Sequence, residues 1–266
     1  MPPDVNSLRL YDSPPDPARL AAHELLRPPG EPRARRELEP FSRGWFEELE
    51  LKRYARHGAW LPRVLEFTRH AGERLLMLGP GLGSDALQYL RHGTQVAIGT
   101  ASTDHPDLIR RNFDLRGVNC EMVPVGPELP FPRGAFDLAY VNVLQAGDFA
   151  PAELFRVLKP GGKLFLLAAA HYDCDFWQDR LFPWLRLWGR APEPMGGRKH
   201  SAQSLRASLA GFAEFRVAKR HLRRGELPHI WRGLPLPLLE RLCGRVLVLR
   251  AFKPLAAARE ELAAAA

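Results

Sequence analysis

The chain has 266 residues, 45% of them hydrophobic. That is enough for one sizeable core, while no apolar run approaches the roughly 18 residues that a membrane-spanning helix requires. The net charge of +8 raises the question of an anionic partner, yet only six of the 38 basic residues are lysine. An arginine bias of that kind, beside abundant Ala, Pro and Leu, follows from a GC-rich genome, and no nucleic-acid partner is expected. Cys120, Cys174 and Cys243 are far apart and form no CxxC pair, which argues against a disulfide framework and against a bound metal.

Residues 1–40 hold nine prolines, which exclude a long helix or central strand and predict an extended arm, with a short helix over Ala18–Leu26. The first twenty residues carry three aspartates and no apolar stretch of signal-peptide type, so the expected location is cytoplasmic. The periodicity next predicts a helix over Trp45–Arg69. A strand follows over Arg74–Leu78, then a glycine turn with Gly79, Gly81 and Gly83 at alternate positions, then a helix over Ser84–Arg91. Backbone N–H groups in such a strand, glycine turn and helix start can approach a ligand closely. Asp85 reads as a charge that favours the positive helix end.

The pattern continues with a strand over Gln95–Gly99, a helix over Pro106–Leu115, and strands over Asn119–Pro124 and Phe136–Val141. A helix over Pro151–Leu158, a Lys-Pro-Gly-Gly turn and a strand over Lys163–Ala170 come next. Strands alternating with helices through short turns predict a parallel sheet covered on both faces. Beyond lie an aromatic-rich insert at 175–190, a helix over Ala202–Leu209 and strands over Ala213–His221 and Arg245–Phe252, with a reversal at Pro228–Gly233 and an alanine-rich tail.

The segment LLMLGPGLGSD (75–85), the stretch LPFPRGAFDLAY (129–140) and above all RVLKPGG (156–162) resemble, in order and spacing, the class I S-adenosylmethionine-dependent methyltransferases. The resemblance covers about residues 40–254. It implies a three-layer, Rossmann-like α/β sandwich with a mostly parallel seven-stranded sheet, the last strand lying antiparallel between the fifth and sixth. It divides the chain into an arm (1–40), a methyltransferase domain (41–254) with an aromatic lid (175–200), and a tail (255–266). The implied cofactor is S-adenosyl-L-methionine as methyl donor, with Gly79, Pro80, Gly81, Gly83, Thr100 and Asn142 as the residues that touch it.

Three positions depart from the family pattern. Acids that hold the donor in the first, second and third strands are replaced by Met77, Thr100 and Val125, while Asp104 and Glu128 stand nearby as substitutes. Methyl transfer from a sulfonium asks the protein for alignment and water exclusion more than for covalent help. His171 and Tyr172, at the end of the fifth strand, are the candidates for deprotonating an acceptor. Trp177, Trp184 and Trp188 suit a lid over a small-molecule or lipid-like acceptor, or a peripheral membrane contact. Two readings stand: a methyltransferase acting on such an acceptor, or a degenerate member that keeps the fold as a binding or regulatory module. A nicotinamide-dependent Rossmann enzyme is disfavoured because RVLKPGG is foreign to it, and the oligomeric state is left open.

Overall fold

The computed structural model describes residues 15–26, 38–55, 57–146, 149–181, 198–223, 227, 231 and 233–255. In chain order these form α1 (Pro17–Glu24), α2 (Arg43–Tyr54), α3 (Leu61–Leu65), β1 (Arg74–Leu78), α4 (Ser84–Arg91), β2 (Gln95–Thr100), α5 (Pro106–Asp114), β3 (Glu121–Pro124), β4 (Phe136–Asn142), α6 (Val143–Ala146) and α7 (Pro151–Val157). The second half comprises β5 (Leu158–Ala170), α8 (Cys174–Leu181), β6 (Lys199–His200), α9 (Ala202–Ser208), β7 (Ala213–Arg220), α10 (Leu236–Cys243) and β8 (Val246–Phe252).

The sheet runs β3-β2-β1-β4-β5-β8-β7, with the two-residue β6 paired to β5 off this path. Pairings from β3 to β5 are parallel, and β8 lies antiparallel between β5 and β7. This is the expected sheet with one small added strand. Its apolar strands are buried on both faces because side chains alternate. Leu76, Leu78, Ala139, Val141, Leu164 and Leu166 meet α7 and α9 on one side. Leu75, Met77, Leu138, Tyr140, Phe165 and Leu167 meet α3, α4 and α5 on the other.

Three expectations change in detail. The single helix over Trp45–Arg69 is broken into α2, α3 and a short 3-10 turn at Phe67–Arg69. The chain leaves α2 at Ala55 with extended ψ of 159° and folds back onto the helix end. There a Cβ on Gly58 would lie 1.6 Å from the Arg53 carbonyl oxygen, a close approach that only glycine permits. The Lys-Pro-Gly-Gly turn is absorbed into β5 as a bulge: Phe136 pairs with Leu158 but Leu138 with Lys163. Gly161 and Gly162 exchange backbone hydrogen bonds of 2.9 Å with Lys253. The connection from β7 to β8 contains α10, whose apolar residues Leu239 and Cys243 pack with Cys174, Leu222 and Leu227. Most of Pro228–Gly233, and of the aromatic insert including Trp184 and Trp188, lies outside the described residues.

The arm contributes to the core. Asp16 caps α1 by accepting the Ala18 N–H at 2.9 Å, and Leu20, Ala21 and Leu25 pack on Phe46, Leu49 and Leu82. Helix α2 is tied to α4 and the end of α5 through Glu50, which meets Arg91, Arg116 and Gln88. Together these contacts bring α1 and α2 over the glycine turn.

Candidate functional site

Small residues stand at or just beyond the carboxyl ends of β1 and β2, Gly79 after the first and Gly99 and Ala101 at the second, so the space above them stays open. A cavity of about 470 Å³ lies there. Its floor is Leu78, Gly79, Gly99 and Ala101, and its walls are the apolar Val125, Leu129, Phe149 and Leu154. Ligands of open α/β sheets bind at this edge, and the size is that of a small-molecule site.

Among the described residues, one carboxylate lines this largely apolar space. Asp104 lines the cavity from the loop after β2, where its Oδ2 accepts the Ala101 N–H at 2.7 Å. Burial pushes its pKa up to about 6, against the opposing effect of that hydrogen bond. An acidic group held in an apolar cavity, with its second oxygen available, is suited to accept hydroxyl hydrogen bonds from a nucleoside. Glu128, the other nearby acid, is exposed to solvent.

The glycine turn is a backbone cradle. At Gly81, with φ of +59°, a Cβ would sit 2.5 Å from Glu24 Oε2 and 2.6 Å from Gln145 Nε2. Both the conformation and the space demand glycine. Asn142 donates through Nδ2 to Gln145 Oε1 at 2.9 Å, and this leaves Asn142 Oδ1 and Gln145 Nε2 buried without partners. Buried polar atoms are normally satisfied, so one free acceptor and one free donor beside a glycine cradle fit a polar ligand that supplies both. Gly79, the cavity floor and this amide pair therefore accommodate a nucleoside with a polar tail. Glu24 also accepts the Leu82 N–H at 3.0 Å, so α1 takes up one of the turn's donors. Sequence reasoning missed Glu24 and Gln145 because their placement depends on α1 docking and on the short helix α6.

The remaining predicted residues are dispersed. Pro80 is buried beside the cradle. Gly83 caps the start of α4 against Phe113. Thr100 is turned to β3, where its hydroxyl donates to the Val123 carbonyl at 3.4 Å, whereas its neighbours Gly99 and Ala101 line the cavity. Met77 is fully buried in the core. His171 and Tyr172 are exposed, their rings 4.8 Å apart and both within 6 Å of Phe176, and neither lines the cavity.

Asp85 stands in the first turn of α4, and its carboxylate is committed to a buried cluster. It is 4% exposed and receives Arg53 at 2.8 and 2.5 Å, the Tyr54 hydroxyl at 2.7 Å and the Tyr140 hydroxyl at 2.8 Å. Burial works to raise its pKa, and the Arg53 charge with these hydrogen bonds holds it below the usual range instead. This cluster fixes α2 to the start of α4 directly behind the glycine turn.

Comparison with known proteins agrees with this architecture. The model of the family described as "Methyltransferase domain" matches residues 76–166, from β1 into β5. A demethylmenaquinone methyltransferase of Thermus thermophilus is 32% identical over 116 residues, covering 41% of this chain and 53% of that protein, so the chain matches about half the length of this curated relative. Among solved structures, a SAM-dependent methyltransferase from Aquifex aeolicus superposes with a TM-score of 0.52 at 14% identity, over 80% of this chain and 98% of that one. The phosphoethanolamine N-methyltransferase 2 of Haemonchus contortus also gives 0.52, at 16% identity over 78% and 56% of the two chains. These structures share the fold. The domain match spans the glycine turn and the RVLKPGG bulge, so this part of the chain is a methyltransferase domain, and the chain shares its fold with S-adenosylmethionine-dependent methyltransferases.

Proposed function

We propose that this chain transfers a methyl group from S-adenosylmethionine to a small-molecule acceptor, the donor lying in the cavity between the glycine turn and Asp104. The observation that carries the reading is the coincidence, at one sheet edge, of a backbone cradle, an amide pair with one unpartnered acceptor and one unpartnered donor, and an apolar cavity in which Asp104 is the one carboxylate among the described residues. The donor, when bound, supplies a methyl already activated by the sulfonium charge. The chain's own residues bind and orient. Asp104 accepts ribose hydroxyls, Val125 and Phe149 flank the flat base, and Asn142 and Gln145 meet the polar tail. Exclusion of water by these walls and by α1 supplies the alignment that such a transfer needs. His171 and Tyr172 stand outside the cavity and take no part in holding the donor. The name of the Thermus relative supports a small-molecule acceptor.

Isothermal titration with S-adenosylhomocysteine tests the reading, and micromolar binding is expected. No detectable binding by the folded protein would favour the alternative of a degenerate module. A Gly81→Val variant separates the cradle from the rest: it should remain folded and lose donor binding at least tenfold, since the new side chain enters the space of Glu24 and Gln145 and forces a disfavoured φ. Undiminished affinity in folded Gly81→Val protein would locate the donor elsewhere.

A further inference from the structure

The glycine cradle is covered by a carboxylate that comes from none of the strands. Glu24, the last residue of α1, is 2% exposed, and its Oε2 accepts the Leu82 N–H at 3.0 Å. From this geometry we infer that Glu24 is the counter-charge for an alkylammonium, the amino group at the polar end of the donor, an assignment that rests on the methyltransferase reading and deepens it.

The first support is electrostatic. A buried carboxylate is unfavourable unless a cation or several donors answer it. The Glu24 charge acts on the Arg53 guanidinium, yet the hydrogen bonds of that group go elsewhere, Nε and Nη2 to Asp85 and Nη1 to the Glu24 main-chain carbonyl. One cation thus stands between two buried carboxylates. The Tyr54 and Tyr140 hydroxyls complete the shell of Asp85, whereas the Glu24 carboxylate has the Leu82 N–H as its one hydrogen-bond donor among the described residues. The missing positive charge is therefore missing at Glu24.

The neighbouring amides point independently to the chemistry of the ligand. Asn142 is 1% exposed and its Nδ2 donates to Gln145, so that Asn142 Oδ1 and Gln145 Nε2 are left buried without partners. Oδ1 is an acceptor, as the Glu24 carboxylate is. Two acceptors, one of them charged, suit a cationic group with several N–H donors, while the Nε2 donor suits a carboxylate. Glu24 Oε2 and Gln145 Nε2 lie 2.5 and 2.6 Å from one point, the place of an added Cβ on Gly81. An ammonium and a carboxylate borne on one carbon atom can meet both, and an α-amino acid has that form.

Position joins this pair to the donor cavity. Gly79, two residues before Gly81, lines the cavity and faces the Asn142 carbonyl and Ala146. The acids along this edge then divide between the two ends of one ligand, because Asp104 lines the cavity after β2 and β1 offers no carboxylate, its Met77 being fully buried in the core. Helix α1 sets Glu24 in place before the ligand arrives, since Leu20, Ala21 and Leu25 pack on Phe46, Leu49 and Leu82. Such preorganisation favours binding.

Calorimetry of the full chain with three ligands tests the assignment: S-adenosylhomocysteine, its deaminated analogue that keeps the carboxylate, and methylthioadenosine, which keeps the nucleoside and lacks the amino-acid end. The wild type should bind the deaminated analogue at least tenfold more weakly than S-adenosylhomocysteine. Glu24→Gln keeps an oxygen for the Leu82 N–H and removes the charge, so it should weaken S-adenosylhomocysteine at least tenfold and leave the other two ligands within twofold. Equal weakening of all three would make Glu24 a prop for the turn, and tighter binding of all three would make it a plug that the donor displaces. Either result overturns the counter-charge, as does S-adenosylhomocysteine affinity that the variant leaves intact. Where Glu24→Gln fails to fold, the wild-type comparison decides, and a deaminated analogue that binds as tightly as S-adenosylhomocysteine overturns the assignment. Methylthioadenosine binding without preference for the amino form would remove the counter-charge and keep the donor site; no binding of any of the three would remove both.

Discussion

Arg53→Met is expected to destabilise the protein by about 3–5 kcal/mol, the cost of leaving one member of a buried ion pair without its partner. The pair is unusually enclosed: the side chains of Arg53 and Asp85 are 2% and 4% exposed. In the wild type the depressed pKa of Asp85 means that the carboxylate contributes stability above its unfolded value near 3.8, and that this contribution is lost as pH falls through the folded value. Without Arg53, burial, the largest of the effects on Asp85, is opposed by the Tyr54 and Tyr140 hydrogen bonds alone, and the sign is expected to invert. The variant's carboxyl then gains from protonation, so its stability deficit should shrink between pH 7 and pH 5. Replacing the acid as well, in Arg53→Met/Asp85→Asn, removes the stranded charge and keeps an acceptor for Tyr54 and Tyr140. The double variant should therefore be more stable than the single one. Urea denaturation gives the midpoints, and an unchanged m-value certifies that stability alone has moved. Equal midpoints for single and double variants would show that the pair's charge is not what the fold depends on.

The sheet was legible because its strands are apolar on both faces and its turns are chemically explicit. Arg74–Leu78 and Ser84–Arg91 begin and end where the sequence places them, since buried strand, glycine turn and helix start each carry a local signal. Local signals also explain the errors. The run Trp45–Arg69 does carry a break signal in Pro62, which stands in the first turn of α3, while the close approach of Gly58 to the Arg53 carbonyl is a contact made by the fold. The KPGG tetrapeptide reads as a turn by composition, yet pairing with the segment after β8 makes it a bulge. In the site, the cradle was visible as spacing, whereas the carboxylate was displaced. Family logic points to Thr100, but a strand residue there faces β3, and the cavity's acid comes four residues later from Asp104. Glu24 and Gln145 carry no sequence signature at all. Each becomes notable through what long-range packing does to it: a carboxylate on a backbone N–H, and an amide nitrogen without a partner.

Asp104→Asn is expected to separate stability from donor binding. An acid whose folded pKa is raised, here from 3.8 to about 6, holds its proton longer in the folded chain. Stability attributable to it is thus fully present below the unfolded value, falls as pH rises from about 4 to 6 and stays reduced above that. A pKa raised this far is worth at most about 3 kcal/mol, at roughly 1.36 kcal/mol for each tenfold change in proton affinity. Asparagine keeps an oxygen for the Ala101 N–H and carries no charge, so the donor-free variant should be more stable than wild type at pH 7, by up to about 2–3 kcal/mol on the same conversion. The two proteins should converge towards pH 4. Donor affinity should move the opposite way. Losing hydrogen bonds to a charged acceptor costs about 1.5–3 kcal/mol, or roughly 10- to 150-fold in the Kd for S-adenosylhomocysteine. In the wild type the same carboxylate must ionise to accept both hydroxyls well, so affinity should rise between pH 5 and pH 7, and in the variant that rise should be absent. Thermal denaturation and calorimetry across that range measure the two effects on the same samples. A variant that gains stability yet binds the donor with wild-type affinity and pH dependence would leave Asp104 a strained cavity residue and place the ribose contact on another group.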